Sequence, residues 1–330
     1  MADAPVLEVE DLSVVLRTRG REATILDAVS LAVVPGETVA LVGESGAGKT
    51  MLALAVMGLL PGGLRITGGH IRLDGTELVG APASVLRGVR GGAMAMIFQD
   101  PQSSLHPAFR VGAQVAEAIR AHQPGVSKAD ATVRAVDLLR RVGIPQPDAR
   151  ARDYPHQMSG GMRQRVMIAM AMANQPRLLI ADEATTALDV TVQAQVLEVL
   201  KGAQAETGAA MLVVTHDLGV VANVADRVVV MYAGRIAESG PVDTVLTAPS
   251  HPYTRGLLAA VPRLDDALPV QAIPGQPPSP FARPSGCAFR TRCAAADDVC
   301  AQTVPLLAPL AGGVDAGAHV VACHHTEARA

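Results

Sequence analysis

The stretch Gly43-Glu-Ser-Gly-Ala-Gly-Lys-Thr50 decides the fold of this sequence. It fits the pattern G-x-x-x-x-G-K-[ST], and it follows the apolar run 38–42 and precedes an apolar segment that reaches about Leu60. A buried strand, a glycine-rich turn and a helix in this order form a loop whose backbone N–H groups point at phosphate oxygens. The start of the helix near Lys49 adds a favourable potential for the same anion. The pattern therefore predicts an α/β fold that binds a nucleoside triphosphate at this loop.

The residues of the loop are predicted to contact both the nucleotide and its magnesium ion. Lys49 is expected to contact the β- and γ-phosphates, and Thr50 to bind Mg²⁺. The other predicted nucleotide-binding residues of the loop are Gly43, Glu44, Ser45, Gly46, Ala47 and Gly48. The alternative is a glycine turn with an incidental lysine, which does not account for the strand and the helix on either side.

A second apolar run, residues 178–181, ends in the carboxylate pair Asp182-Glu183. A strand that ends in this way places Asp182 beside the metal, and the adjacent Glu183 can then act as the general base for the attacking water. Charged residues often end strands, so the pair alone is weak evidence. Downstream of a phosphate-binding loop it predicts hydrolysis of the bound nucleotide.

Composition limits the classes of protein to which the chain can belong. Its 330 residues carry a net charge of −3, which argues against a dedicated nucleic-acid binder. Four Phe, three Tyr and no Trp offer few surfaces for base stacking. No apolar run reaches the roughly 18 residues of a membrane span, and the acidic residues 1–10 differ from a signal peptide. We therefore expect a cytoplasmic location.

The order of apolar and polar segments predicts the layout of the chain. Short apolar runs that alternate with helical segments indicate a parallel sheet covered on both faces. Residues 6–34 alternate in polarity and predict short antiparallel strands, and residues 70–78 predict a hairpin around Asp74-Gly75. Residues from about 101 to 154 are expected to be mainly helical. Residues 273–286 contain five prolines and predict a stiff linker or a strap.

Between the two motifs lies Tyr154-Pro-His-Gln-Met-Ser-Gly-Gly-Met-Arg-Gln-Arg165. With this peptide the chain resembles the ATP-binding cassette (ABC) family, whose signature is Leu-Ser-Gly-Gly-Gln; here both flanking positions are methionine. The resemblance implies that Ser159, Gly160 and Gly161 grip the γ-phosphate of ATP at a helix N-terminus. On its own, the peptide is also compatible with an ordinary Ser-Gly-Gly helix start.

Three further positions match the family. The resemblance implies that Gln99 senses the metal and the attacking water beside a membrane partner. It also implies that Ala187-Leu-Asp189 belongs to a loop between two ATPase subunits, where Asp189 contributes to nucleotide binding, and that His216 contacts the γ-phosphate. Gln99 and Asp182 join Thr50 as the implied magnesium ligands.

The chain departs from the family where an aromatic residue usually stacks on adenine. Between Leu16 and Ile25 it has Arg17, Arg19 and Arg21 but no aromatic residue. Adenine is therefore expected to rest on an aliphatic or guanidinium face.

The C-terminal part is similar to that of dipeptide and oligopeptide importer ATPases, at Ser250-His-Pro-Tyr-Thr-Arg-Gly-Leu-Leu258 and at Pro284-Ser-Gly-Cys-Ala-Phe-Arg-Thr-Arg-Cys293. The form of the signature resembles the first, D-type, of their two paired ATPases. The resemblance implies an ABC nucleotide-binding domain over residues 1–250, with a RecA-like core, an antiparallel β-subdomain and a helical subdomain at about 100–165. Residues 251–330 then form a C-terminal extension with a proline-rich strap and a four-cysteine metal site.

The same resemblance implies an ATP-hydrolysing subunit that powers the import of dipeptides or oligopeptides from the cytoplasmic face of the membrane. Its implied partners are a second, homologous ATPase in a heterodimer, two membrane permeases and an extracytoplasmic peptide-binding protein, with no nucleic acid. The alternatives are an importer of nickel or another small solute, a soluble ABC ATPase, and a regulatory module that does not hydrolyse ATP. The presence of Glu183 and His216 argues against the last of these.

All four cysteines lie near the C-terminal end, at Cys287, Cys293, Cys300 and Cys323. In a reducing compartment such clustering favours metal ligation over disulfides. Structural zinc sites prefer closely spaced pairs, whereas the wider gaps here suit a [4Fe–4S] cluster, which the resemblance also implies. A zinc site that includes His324 or His325, and four reduced cysteines that merely pack, are the alternatives.

Overall fold

The computed structural model describes residues 4–100, 104–184, 189–261, 272–310 and 319–326. The described residues fall into two units. The signature unit, which contains residues 159–161, is built from segments 1–7, 33–37 and 74–213. The loop unit, which contains residues 43–50, is built from segments 8–32, 38–73 and 214–330.

The described strands are numbered in chain order. They are β1 (Leu7–Thr18), β2 (Arg21–Val33), β3 (Thr38–Val42), β4 (Leu64–Leu73), β5 (Thr76–Glu77), β6 (Met94–Ile97), β7 (Leu178–Asp182), β8 (Ala210–Val214), β9 (Arg227–Tyr232), β10 (Arg235–Pro241), β11 (Ala308–Pro309) and β12 (Val320–Val321).

The described α-helices are α1 (Lys49–Val56), α2 (Ala83–Val89), α3 (Val111–His122), α4 (Lys128–Arg141), α5 (Pro147–Arg150), α6 (Gly160–Ala171), α7 (Val190–Thr207), α8 (Leu218–Val224), α9 (Val242–Thr247), α10 (Pro252–Ala259) and α11 (Asp298–Gln302). None of these helices is long and apolar enough to cross a membrane.

In the signature unit, strands β8, β7 and β6 lie side by side, and β6 pairs with β7 in parallel. Every residue of β7 is buried. Helices α3, α4 and α6 pack on one another. Helix α4 begins after Ser127, whose hydroxyl accepts a hydrogen bond from the N–H of Asp130, and its buried residues recur every four positions at Ala131, Ala135 and Leu139. The segment predicted to be mainly helical thus has helices from Val111 onward, and residues 101–103 lie outside the described part.

In the loop unit, the strand order is β11-β12-β10-β9-β3. Strand β3 pairs in parallel with β9, as predicted, but β9–β10, β10–β12 and β12–β11 are antiparallel. The predicted parallel sheet is thus present, and antiparallel strands continue it beyond β9. The reason for the antiparallel pairing of β9 with β10 is the two-residue connection Ala233-Gly234, in which both residues have positive φ, because so short a turn can join only antiparallel strands.

The first two strands are longer than the short strands predicted from residues 6–34. Asp11 in β1 and Ala28 in β2 have φ of 46° and 49°, so each strand passes through a local kink and continues. Hydrogen bonds between the two strands hold these kinks, such as that from the N–H of Ala28 to the hydroxyl of Ser13. The predicted turn at Asp74-Gly75 is present, with both residues at positive φ between β4 and β5.

The proline-rich segment packs on the loop unit as a strap. Arg283 donates to the carboxylate of Asp27 at 2.6 Å and to the carbonyl oxygen of Thr24 at 3.1 Å. Ile273 packs against an aromatic cluster that contains Tyr232, Tyr253 and Phe289. Three of the seven aromatic residues of the chain thus join the C-terminal region to β9.

A buried polar group stabilises the chain where α10 begins. The carboxylate of Glu238 is fully buried and accepts hydrogen bonds from the N–H groups of Ser250 and His251, and it lies 2.7 Å from His319 Nε2. His251 Nδ1 in turn accepts from the N–H of Tyr253 at 3.0 Å, which requires this nitrogen to be unprotonated. Burial lowers the pKa of His251 to about 4.

We expect this histidine to make the stability of the chain dependent on pH. In the unfolded chain its pKa is about 6.5, so between roughly pH 4 and 6.5 the unfolded state binds more protons than the folded state. The free energy of unfolding should therefore fall as the pH is lowered from about 6.5 to about 4, by up to about 3 kcal/mol. His251→Gln should flatten this part of the profile in urea unfolding experiments.

The matched control is His70→Gln, because His70 is exposed on β4. This variant should keep the slope of the parent chain. A His251→Gln profile as steep as that of the parent would assign the pH dependence to other groups.

Candidate functional site

Residues 43–50 form a tight loop between β3 and α1 in the loop unit. Gly43, Gly46 and Gly48 have φ of 148°, 80° and 106°, a region that residues with a Cβ rarely adopt. A Cβ on Gly43 would also lie 2.3 Å from the carbonyl oxygen of Met231 at the end of β9. The loop conformation therefore depends on glycine at these positions, as the sequence pattern predicts for a phosphate-binding loop.

Lys49 is buried at the start of α1, with 6% of its surface exposed. Its ammonium group donates to the carbonyl oxygens of Gly43 at 2.7 Å and Glu44 at 3.1 Å. Thr50 follows it and is exposed, as are Ser45 and Gly46. A cation that is held by the loop in this way is placed to interact with phosphate oxygens as well.

His216 lies in a turn just after β8, and its side chain is exposed. The N–H of the preceding Thr215 donates to the carbonyl oxygen of Leu41 on β3 at 3.2 Å. The following residue, Asp217, accepts a hydrogen bond from the N–H of Gly219 and so caps α8. These two hydrogen bonds hold the turn that contains His216, and the first attaches it to β3, the strand that precedes the phosphate-binding loop.

In the signature unit, two predicted catalytic residues are in contact. Gln99 Nε2 donates to Glu183 Oε2 at 2.7 Å. The pairing of β6 with β7 explains the contact, because Ile97 lies opposite Ala181. Gln99 follows Ile97 by two residues, and Glu183 follows Ala181 by two residues. Asp182, at the end of β7, is buried with 4% exposed. Glu183 has a φ of 45°, and a non-glycine residue in this conformation costs about 1 kcal/mol or more and is typical of functional sites.

The Ser-Gly-Gly signature forms the start of α6. Ser159 caps this helix through its hydroxyl, which accepts from the N–H of Met162, and Gly160 is exposed in the first turn. A Cβ on Gly161 would lie 2.5 Å from Cγ1 of Val192, so glycine permits close packing of α6 on α7. Met158, at the position of the leucine in the family signature, is buried at 3% exposed.

The loop that contains Asp189 leads into the same helix pair. Asp189 caps α7 through its carboxylate, which accepts from the N–H of Val192 at 2.9 Å. Since the side chain of Val192 also lies against Gly161, the two predicted elements both contact this one residue. Ala187 and Leu188 lie outside the described residues.

Glu44 has contacts that the sequence did not predict. Its carboxylate accepts two hydrogen bonds from the guanidinium of Arg292, at 2.6 and 2.9 Å, and its N–H donates to the hydroxyl of Tyr253 at 2.8 Å. Hydrogen bonding to Glu44 raises the pKa of Arg292, and burial raises that of Tyr253. The only signal in the sequence was an arginine between two cysteines, which is too common a feature to assign.

The region predicted to face adenine also has an unexpected neighbour. The guanidinium of Arg21 lies 4.7 Å from the ring centroid of Phe281, which belongs to the strap. An arginine and a phenylalanine from distant parts of the chain thus form a cation–π pair at the start of β2.

The four cysteines form no disulfide, and Cys300 is buried while the others are half-buried. Burial raises the pKa of the Cys287, Cys300 and Cys323 thiols. For Cys287, the charges of the other three cysteines add to the rise, which places the four thiols within electrostatic range of one another.

A second set of possible ligands overlaps this group. Asp297, Cys300 and His325 offer three ligand atoms within 4.8 Å of one another, and the Cys300 sulfur lies 3.5 Å from His325 Nε2. Four thiolates on one zinc ion would lie about 3.8 Å apart, but among the described residues no three cysteines lie within 4.8 Å of one another. Among the described residues, the closely spaced set of possible metal ligands is therefore Asp297, Cys300 and His325 and not a group of cysteines. His324 instead contacts the carbonyl oxygen of Thr303.

Two family models match the chain. The ABC transporter model matches residues 26–186, and the model for the oligopeptide/dipeptide transporter C-terminal region matches residues 237–300.

Curated relatives extend the similarity over most of the chain. The oligopeptide transport ATP-binding protein OppD of Mycobacterium tuberculosis is 52% identical over 98% of this chain and 52% of its own length. The chain thus spans about half the length of this relative. A putative peptide import ATP-binding protein of Brucella abortus is 49% identical over 93% of this chain and 95% of its own length.

Solved structures show the same fold. The dimeric structure of MJ0796, a bacterial ABC transporter cassette, is 26% identical with a TM-score of 0.65, and the match covers 72% of this chain and 98% of that one. A post-hydrolysis state of the same cassette with ADP and Pi is 25% identical, with a TM-score of 0.64 over 72% of this chain and 98% of that one. The predicted ABC ATPase cassette fold is thereby confirmed. This chain belongs to the family of ABC transporter ATP-binding proteins.

Proposed function

We propose that the chain is the ATP-hydrolysing subunit of an importer for dipeptides or oligopeptides. The observation that carries this proposal is the contact between Gln99 and Glu183 at the end of a buried strand, in a chain with a complete phosphate-binding loop. The match of residues 237–300 to the peptide-transporter C-terminal model supports peptide as the cargo. The names of the mycobacterial and Brucella relatives support the same cargo.

Each residue of the proposed site has a role that follows from its chemistry. The backbone of residues 43–50 holds the phosphates, and Lys49 compensates their charge. Glu183 accepts a proton from the water that attacks the γ-phosphorus, while the bond to the β-phosphate oxygen breaks and ADP leaves. Gln99 orients the Glu183 carboxylate, and His216 contacts the γ-phosphate. Thr50, Asp182 and Gln99 would hold Mg²⁺, which supplies charge compensation when it is bound.

The proposal includes a shared nucleotide site. In it, Ser159, Gly160, Gly161 and Asp189 of this chain act on ATP that is bound by a second, homologous ATPase. The active species is then a heterodimer at the cytoplasmic face of the membrane, with two permeases and an extracytoplasmic peptide-binding protein. Within this chain, the proposed ABC domain spans residues 1–250 and has its helical subdomain at about 100–165. The peptide-importer extension spans residues 251–330.

The direct test is ATP hydrolysis by the purified complex with and without a peptide-loaded binding protein. We expect peptide to stimulate hydrolysis, and Glu183→Gln to reduce turnover at least tenfold while ATP still binds, since the amide keeps the shape of the side chain but cannot act as a base.

Stimulation by a nickel-loaded or other solute-loaded binding protein in place of peptide would reassign the cargo. More than about a tenth of the parent turnover in Glu183→Gln would remove this residue from the role of base.

Lys49→Ala should weaken ATP binding itself. The substitution removes the buried ammonium that contacts the loop carbonyls at 2.7 and 3.1 Å, and with it the charge that compensates the phosphates. Lys201→Ala, which removes a lysine from helix α7 of the signature unit, is the control and should bind ATP as the parent does. Equal ATP affinity in Lys49→Ala and the parent would contradict the assignment of the loop.

We further propose that Cys287, Cys293, Cys300 and Cys323 hold a [4Fe–4S] cluster that clips the C-terminal extension to the cassette. Support comes from their spacing in the chain and from the match of residues 237–300, which include three of the cysteines, to the peptide-transporter C-terminal model. The cluster would serve structure, because four thiolates complete its protein ligands.

Protein purified without oxygen should be brown and contain about four irons per chain. Cys287→Ser should lower the iron content, whereas His325→Ala should leave it unchanged. One zinc per chain that is lost in His325→Ala but retained in Cys287→Ser would instead identify the Asp297, Cys300 and His325 group as the metal site.

A further inference from the structure

The pair formed by Arg292 and Glu44 connects the C-terminal region directly to the phosphate-binding loop. Both terminal guanidinium nitrogens of Arg292 donate to the carboxylate, one to each oxygen, at 2.6 and 2.9 Å. This fork geometry is the strongest form of an ion pair between these side chains. The Arg292 side chain is 3% exposed and that of Glu44 is 26% exposed, so solvent screens the pair only weakly.

Glu44 is held from two further directions. Its N–H donates to the Tyr253 hydroxyl at 2.8 Å, and its carbonyl oxygen accepts from Lys49 at 3.1 Å. Its carbonyl also accepts from the N–H of Ala47 at 3.1 Å. Of these partners, Arg292 and Tyr253 belong to the C-terminal region, while Lys49 and Ala47 belong to the loop itself.

Arg292 is in turn fixed by its own surroundings. Its Nε donates to the carbonyl oxygen of Pro274 in the strap at 2.8 Å, and one terminal nitrogen lies 3.4 Å from the Tyr232 hydroxyl. The guanidinium also lies 5.8 Å from the ring centroid of Tyr232 and 5.9 Å from that of Phe289. A guanidinium with this many partners has little rotational freedom, so it can position the side chain to which it binds.

We infer that Arg292 is a positioning residue for the nucleotide site: by pairing with Glu44 it sets the shape and the charge of the phosphate-binding loop. The segment between Cys287 and Cys293 thereby controls the affinity of the cassette for ATP. This inference rests on the proposed function, because it concerns the same nucleotide site.

A carboxylate in a phosphate-binding loop repels the triphosphate unless a cation compensates it. Arg292 provides that compensation through its two hydrogen bonds to the carboxylate. Without Arg292 the Glu44 carboxylate keeps its charge and loses its fixed position, and both changes weaken the binding of ATP.

The test is equilibrium binding of ATP with Mg²⁺ to the full chain that carries Glu183→Gln, so that hydrolysis does not interfere. Arg292→Gln should raise the dissociation constant at least about tenfold, the scale expected for one uncompensated charge near the phosphates. The additional substitution Glu44→Gln should restore affinity to within about threefold of the parent, because it removes the repelling carboxylate. Arg292→Lys, which keeps the charge but not the fork, should give an intermediate value.

Arg290→Gln is the matched control. Arg290 lies in the same segment between Cys287 and Cys293 but donates to the backbone and hydroxyl of Ser285, so its loss should leave ATP affinity unchanged. Melting temperature and metal content, measured for every variant, separate an effect on the loop from loss of the fold or of the cysteine site.

Two results would overturn the inference: an Arg292→Gln variant that binds ATP as the parent does, or a double variant as weak as Arg292→Gln alone. If both Arg292 variants are unfolded at the assay temperature, the pair maintains the fold rather than the loop, which also contradicts it. Failure of the parent chain to bind ATP at all would instead remove the proposed function.

Discussion

The close approach of the Gly43 backbone to the end of β9 is the constraint on which the loop unit depends. A side chain at this position would meet the Met231 carbonyl oxygen at 2.3 Å, so only glycine lets β3 turn into the loop beside its parallel neighbour. The turn brings two loop carbonyls to the buried ammonium of Lys49. The turn between β9 and β10 also holds the loop, because the N–H of Gly234 donates to the carbonyl oxygen of Ala47 at 2.9 Å. The shape of the phosphate-binding loop is therefore imposed by the strand next to it as much as by its own glycines.

In the signature unit, the register of two parallel strands has a comparable role. Gln99 and Glu183 each lie two residues beyond the paired residues Ile97 and Ala181, and their side chains meet at 2.7 Å. The positive φ of Glu183 shows that the chain accepts local strain at the residue to which we assign proton transfer. In the same unit, Val192 donates its N–H to the Asp189 cap of α7, and its side chain lies against Gly161 at the start of α6.

The C-terminal region contacts the rest of the loop unit at several separate places. Its strap binds β2 through Arg283, its aromatic residues pack on Tyr232, and its Arg292 and Tyr253 hold Glu44. These contacts concentrate three of the seven aromatic side chains in one cluster. The packing of these aromatic side chains offsets part of the conformational entropy that the proline-rich segment loses when it is ordered. A metal site at the cysteines would strengthen an attachment that the packing already provides.

The amino-acid sequence by itself determined the family, the glycine-rich loop, the strands β3 and β7 and the carboxylates at the end of β7, because these depend on local patterns and on spacing along the chain. The sequence did not predict the kinks in β1 and β2 or the antiparallel β9–β10 hairpin, because Asp11, Ala28 and Ala233 adopt positive φ there, which residues with a Cβ rarely do. The pairing of Arg292 with Glu44 was equally invisible, since it joins residues 248 positions apart. Only the tertiary structure decides such contacts, because a side chain finds its partner through the packing of whole elements and not through its neighbours in sequence.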